Sequence, residues 1–131
     1  MLWQLESALT CFVITTALVL LTIYIFTKLT RYNDWEEIAQ GNVAAALALG
    51  GKILGMANIM HYAILSNTGA LDTVLWGLLG MVLLLLVYPV FEWLTPRLNV
   101  NREIARGNVA VGALSMVFSL SVSFIIGASI F

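Results

Sequence analysis

The spacing of charges constrains this chain more than any other feature. Uncharged runs cover residues 7–27, 38–51, 53–71, 73–91 and 107–131, which is 21, 14, 19, 19 and 25 residues. A helix needs about 20 apolar residues to cross a bilayer. A soluble domain needs roughly a quarter of its residues charged to face water, whereas here 10% of 131 residues are charged and 61% are apolar. That excess of apolar side chains equally excludes disorder. In hydrocarbon only helices and closed barrels satisfy every backbone group, and runs of this length have no place as barrel strands. The expected fold is therefore an all-α integral membrane protein, a single membrane domain over residues 1–131.

The ambiguous stretch is 38–71, where Lys52 interrupts some 30 apolar residues. A helix begun after Lys52 would have no room to turn before Asp72 and would bury Ser66-Asn67-Thr68-Gly69, a turn-type tetrapeptide. Starting near Asn42 and ending near Leu65 avoids both problems. Four transmembrane helices follow, at about 6–28, 42–65, 72–93 and 108–131. Pro89 is expected to kink the third, and Pro96 to end it. Lys28, Arg31, Arg97, Arg102 and Arg106 fall on one side, so loops 28–41 and 94–107 are expected in the cytoplasm and both termini outside. Trp3, Trp35, Trp76 and Trp93 fall near span ends, where indole rings favour the headgroup level. The N-terminus lacks a positive n-region, and its apolar run is long enough to span, so no cleavable signal peptide is expected.

The two basic loops resemble each other. Residues 31–44 read RYNDWEEIAQGNVA and 97–110 read RLNVNREIARGNVA, identical at nine of fourteen positions at an offset of 66. The chain thus divides into repeat one (5–65) and repeat two (71–131), each a helical hairpin. Two spans per copy give a parallel repeat about an axis along the membrane normal. Each loop is expected to hold a short interfacial helix, with Asp34 and Glu37 as a capping box and Ile38 and Ile104 facing the acyl boundary. Glu37, Gly41, Glu103 and Gly107 complete the repeated motif. In Gly41-Asn42 and Gly107-Asn108 the glycine permits a sharp bend and the asparagine caps the next span. Alternatively, Asn42 and Asn108 line a polar path or docking site on the axis.

On Asn33-Asp34-Trp35-Glu36, Gly41-Asn42-Val43-Ala44-Ala45-Ala46 and Gly50-Gly51-Lys52-Ile53-Leu54-Gly55, with the echo at Glu103–Ala110, the chain resembles the YjfL-type family of small bacterial inner-membrane proteins, whose function is unknown. The resemblance covers essentially the whole length. It implies four spans in the bacterial cytoplasmic membrane and an accessory or scaffold role beside membrane-stress or flotillin-like partners.

Residues that could carry chemistry are few. Ala48, Gly51, Gly55 and Asn58 share one face of the second helix, and Ser115, Ser119 and Ser123 share one face of the fourth. Small residues on a stripe let helices approach closely, either within the bundle or between copies in a homo-oligomer. Lys52 lies ten residues past Asn42, about 15 Å deep at 1.5 Å per residue. A charge there costs at least about 2.5 kcal/mol by insertion scales. It can snorkel to the headgroups, be satisfied by hydroxyls such as Thr15, Thr16 or Ser119, or bind an anionic headgroup, ligand or partner carboxylate. His61 and Cys11 are expected to be structural. There is no phosphate loop, nucleophile–base pair or metal-ligand cluster, so neither a catalytic residue nor a cofactor or metal is expected. A net charge of −1 leaves no basic patch for nucleic acid. The expected function is a non-enzymatic, oligomeric scaffold or accessory protein in membrane homeostasis. The rival is a small oligomeric transporter or channel passing an anion or small solute by way of Lys52.

Overall fold

A computed structural model describes residues 1–66 and 69–131, so part of the Ser66-Asn67-Thr68-Gly69 turn, at Asn67 and Thr68, lies outside the described residues. Six helices follow in order: α1 (Leu2–Leu29), α2 (Asp34–Ala39), α3 (Val43–Leu65), α4 (Ala70–Leu94), α5 (Val100–Ala105) and α6 (Val109–Ile130). Of these, α1, α3, α4 and α6 are long and apolar enough to cross a membrane. The first begins four residues earlier than expected and carries Glu6 in its second turn. α4 runs through Pro89 and stops at Leu94, where Thr95, at φ −126° and ψ 61°, leaves the helical region before Pro96, since the ring of a following proline disfavours helix at the residue before it.

The loop corners follow from glycine and asparagine. Gly41 and Gly107 have φ of +87° and +84°, left-handed values that cost a side chain with Cβ about 1–2 kcal/mol. Each ends a six-residue helix, and the next residue caps the following span: Asn42 Oδ1 accepts from the backbone N–H of Ala45 at 3.1 Å, and Asn108 Oδ1 from that of Val111 at 3.4 Å. Both short helices, and both spans after them, start 66 residues apart.

Two expectations about these loops are corrected. The cap of α2 is Asn33, whose side-chain oxygen accepts from the Glu36 N–H at 3.2 Å; Asp34 is the first helical residue, and Glu37 bonds Asn42 instead of reaching back. Both Asn33 and Asp34 are capping types, and only packing decides between them: Asp34 turns into the bundle and is buried. Nor do the isoleucines face the acyl boundary. Ile104 has no exposed surface and Ile38 packs against the core, because the glycine corners fold α2 back on α3, and α5 on α3 and α6.

At the centre, α3 packs most extensively on α6. The two run parallel, so the close approaches march along both: a Cβ on Gly112 would lie 2.6 Å from the Ala44 backbone, and one on Gly51 would lie 2.8 Å from Met116 Cα. Small residues thus bring the backbones together, which in lipid replaces the hydrophobic drive available in water. The rim is less regular. α4 packs on α1, α3 and α6, while α1 leans on α3 and α4 and buries only Leu18, Thr22 and Phe26.

Candidate functional site

Polar side chains gather in two places, one along the α3/α6 seam and one at the end of the bundle that carries the basic loops. In the seam, the Lys52 side chain is wholly buried. Its Nζ donates to Ser119 Oγ at 2.6 Å and lies 5.5 Å from the Phe26 ring centre, a distance at which a cation gains from the ring's negative face. With no exposed surface and its amine bonded to Ser119 of another span, Lys52 does not reach the bilayer surface. Of the readings open for Lys52, snorkelling is therefore corrected. Two turns further along, Asn58 Nδ2 donates to Ser123 Oγ at 3.0 Å, and Ser123 donates to the Leu120 carbonyl at 2.7 Å. Ser115 is buried on the same stripe. Ala48, Gly51 and Gly55 are buried within the chain as well, Gly55 with Leu84 and Ser123 as its nearest neighbours.

At the basic end, the two corners bond differently. Asn42 Nδ2 reaches Glu37 Oε2 at 3.0 Å, the Ile104 carbonyl at 2.8 Å and the Ala105 carbonyl at 3.3 Å. It thereby ties its own loop helix to the C-terminus of α5. Asn108 Nδ2 bonds Glu103 Oε2 at 3.0 Å, and Glu103 also pairs with exposed Arg106 at 3.5 Å. Both asparagines cap the next span as expected; in place of the alternative in which both amides line the axis, Asn42 alone bridges to α5.

Beside the corners lies a network that sequence reasoning missed. Asn101 Oδ1 accepts from Tyr88 Oη at 2.7 Å and from the Arg31 N–H at 3.2 Å, while its amide donates to Glu92. Tyr88 stacks edge-on against Phe26, their centres 5.2 Å apart, so Phe26 stands between this network and Lys52. Thr30 donates to Asp34, whose other carboxylate oxygen is buried without a partner. Burial pushes the Asp34 carboxyl above its usual range, with the Thr30 hydrogen bond opposing. Burial, and then the nearby Asp34, push the Tyr32 hydroxyl upward too. The signal lay in the mismatches between the loops: Asn101 stands where the first copy has Trp35, and Glu92 where it has Phe26. Both clusters hold hydrogen bonds in fixed places.

The family described as "Domain of Unknown Function (DUF350)" matches residues 1–130. The "UPF0719 transmembrane protein YshE" of Bacillus subtilis (strain 168) is 44% identical over 110 residues, covering 84% of this chain and 82% of that protein. The "UPF0719 inner membrane protein YjfL" of Escherichia coli (strain K12) is 32% identical over 101 residues, covering 77% and 75%. No solved structure matches. With four apolar helices and relatives so named, this is a multi-pass protein of the bacterial cytoplasmic membrane. The chain belongs to the DUF350 family.

Proposed function

We propose that the protein is a non-catalytic, homo-oligomeric membrane component, an accessory or scaffold that works through lateral contacts. One observation carries this reading: Lys52 has no exposed surface, and its hydrogen bond goes to another span of the same chain. A residue serving a moving anion would instead face a cavity. The small-residue stripes are used inside the chain, so contact between copies falls to the outer face of α1, where Leu9, Phe12 and Val13 are exposed. Loops 28–41 and 94–107 lie in the cytoplasm in this proposal, and both termini lie outside.

The test uses purified protein in nanodiscs and in liposomes. Cysteines introduced at Leu9 and Phe12 are expected to crosslink one copy to another, native mass measurement to give a multimer, and a Lys52→Met variant to fold normally. Chloride or phosphate flux present in the wild type and abolished in Lys52→Met would overturn the reading in favour of a transporter. A strictly monomeric species would overturn the oligomer.

A further inference from the structure

Between the end of α1 and the start of α2 lies an open cleft of about 560 Å³, lined by Tyr24, Lys28, Arg31, Tyr32, Asp34 and Trp35 among others. Neither of its cations is in an ion pair among the described residues. Lys28 Nζ lies 5.4 Å from the Tyr24 ring centre, and the sole ion pair among the described residues joins Arg106 to Glu103 elsewhere. The backbone beneath is fixed, because the Arg31 N–H is held by Asn101 and Asp34 by Thr30.

Depth decides what such a cleft meets. α1 has 28 residues and so is about 42 Å long at 1.5 Å per residue, against a hydrocarbon core of about 30 Å. Its last turn therefore stands among headgroups. Trp35, on the cleft wall, is 56% exposed and Trp93 at the same end is 79% exposed, as expected for indoles at that level. Two cations free of any ion pair beside an exposed indole fit a phosphodiester whose acyl chains run down α1.

We propose that this cleft is a binding site for an anionic phospholipid, in which Lys28 and Arg31 hold the headgroup phosphate and Trp35 lies along the glycerol and upper acyl chains. Asp34 does not oppose this. Its side chain is 2% exposed, its carboxyl is bonded by Thr30, and burial favours its neutral form. Asp34 closes the inner wall of the cleft, and the cations form the mouth.

The experiment reads Trp35 fluorescence in a variant with Trp3, Trp76 and Trp93 replaced by phenylalanine, in vesicles of phosphatidylcholine containing brominated phosphatidylglycerol. At low mole fraction of the brominated lipid, quenching is expected to exceed that by brominated phosphatidylcholine, at roughly fivefold enrichment for each cation. Lys28→Gln with Arg31→Gln should erase the preference, and Lys28→Arg with Arg31→Lys should keep it, showing that charge rather than fold was lost. Arg97→Gln with Arg102→Gln removes the same net charge from the other loop and should leave the preference intact. Equal loss in that control would reduce the effect to general surface attraction and overturn the site. A stronger preference for brominated phosphatidylethanolamine, or displacement by millimolar inorganic phosphate, would overturn the anionic lipid as its occupant.

Discussion

The corners at 31–44 and 97–110 share nine of fourteen residues and the same left-handed glycine, Gly41 and Gly107, yet they are wired to the bundle in different ways. In the first, Asn42 bridges to α5 and buried Asp34 bonds Thr30; in the second, Asn108 stays within its own loop and Val100 occupies the place of Asp34. Gly41-Asn42 and Gly107-Asn108 reproduce the turn and the cap of the next span, but Asn33 caps α2 in an extended conformation while Asn99 is left-handed and makes no side-chain cap bond. Tertiary bonding differs even at the identical Asn42 and Asn108, and the packing differs with it: α4 packs on α3, while its counterpart α1 makes no comparable contact with α6. Conserved local geometry is therefore no guide to equal energetic weight.

The largest break in the comparison is expected one turn into the spans. Gly112 is buried with the Ala44 backbone against it, whereas the position 66 residues earlier, Ala46, is exposed. Gly112→Leu should destabilise by about 3 kcal/mol or more, beyond ordinary overpacking because backbone must move. Ala46→Leu should be near neutral. Thermal unfolding of the two variants in one detergent decides it, and equal losses would mean that the α3/α6 contact is not as close as described.

The asparagines come next. Asn108→Ala removes a cap, worth about 1 kcal/mol. Asn42→Ala removes a cap and also the bridge to α5, whose hydrogen bonds add about 1 kcal/mol each, so its loss should be two to three times larger. Denaturant titration followed by helicity would show the gap. Parity would demote the bridge.

The smallest effect concerns Asp34. Its carboxyl is raised in the folded state by burial, so the native protein binds this proton more tightly than the unfolded chain does. Its contribution is complete below the unfolded carboxyl value and is lost as pH rises through the folded one. Asp34→Asn should therefore raise the melting temperature at neutral pH and lose that advantage in acid, and Val100→Asn should show no such pH dependence. A pH-independent difference for Asp34→Asn would dismiss the titration.

Much of this architecture can be read from the chain. The four spans follow from the gaps between charges, and the corners follow from Gly-Asn repeated at a fixed offset, because both are local patterns with a local cause. Pairings are not local. Lys52 meets Ser119 and Asn58 meets Ser123 across more than 60 positions, and helical spacing marks the faces without saying which faces meet. Asn101, Tyr88 and Glu92 gave no periodic signal at all. Ile38 and Ile104 lie against the core rather than the lipid for a related reason: an amphipathic segment of six residues suits a lipid surface or the underside of a bundle equally, and only the direction of the glycine corner chooses.

The direction of synthesis gives the α3/α6 seam a further meaning. Within the crossing part of α1, buried Thr22 donates to its own helix at the Leu18 carbonyl and the buried Thr15 hydroxyl has no partner on another span, so this span gives up no hydrogen bond between helices by resting in lipid alone. α3 does, since the groups that answer Lys52 and Asn58 belong to α6, made well after it. Until residues 119 and 123 have left the ribosome, an amine and an amide lie in the bilayer without their final partners. A chain truncated after α4 would keep three apolar spans and still lack a finished membrane interior, which makes such a fragment a natural target for quality control.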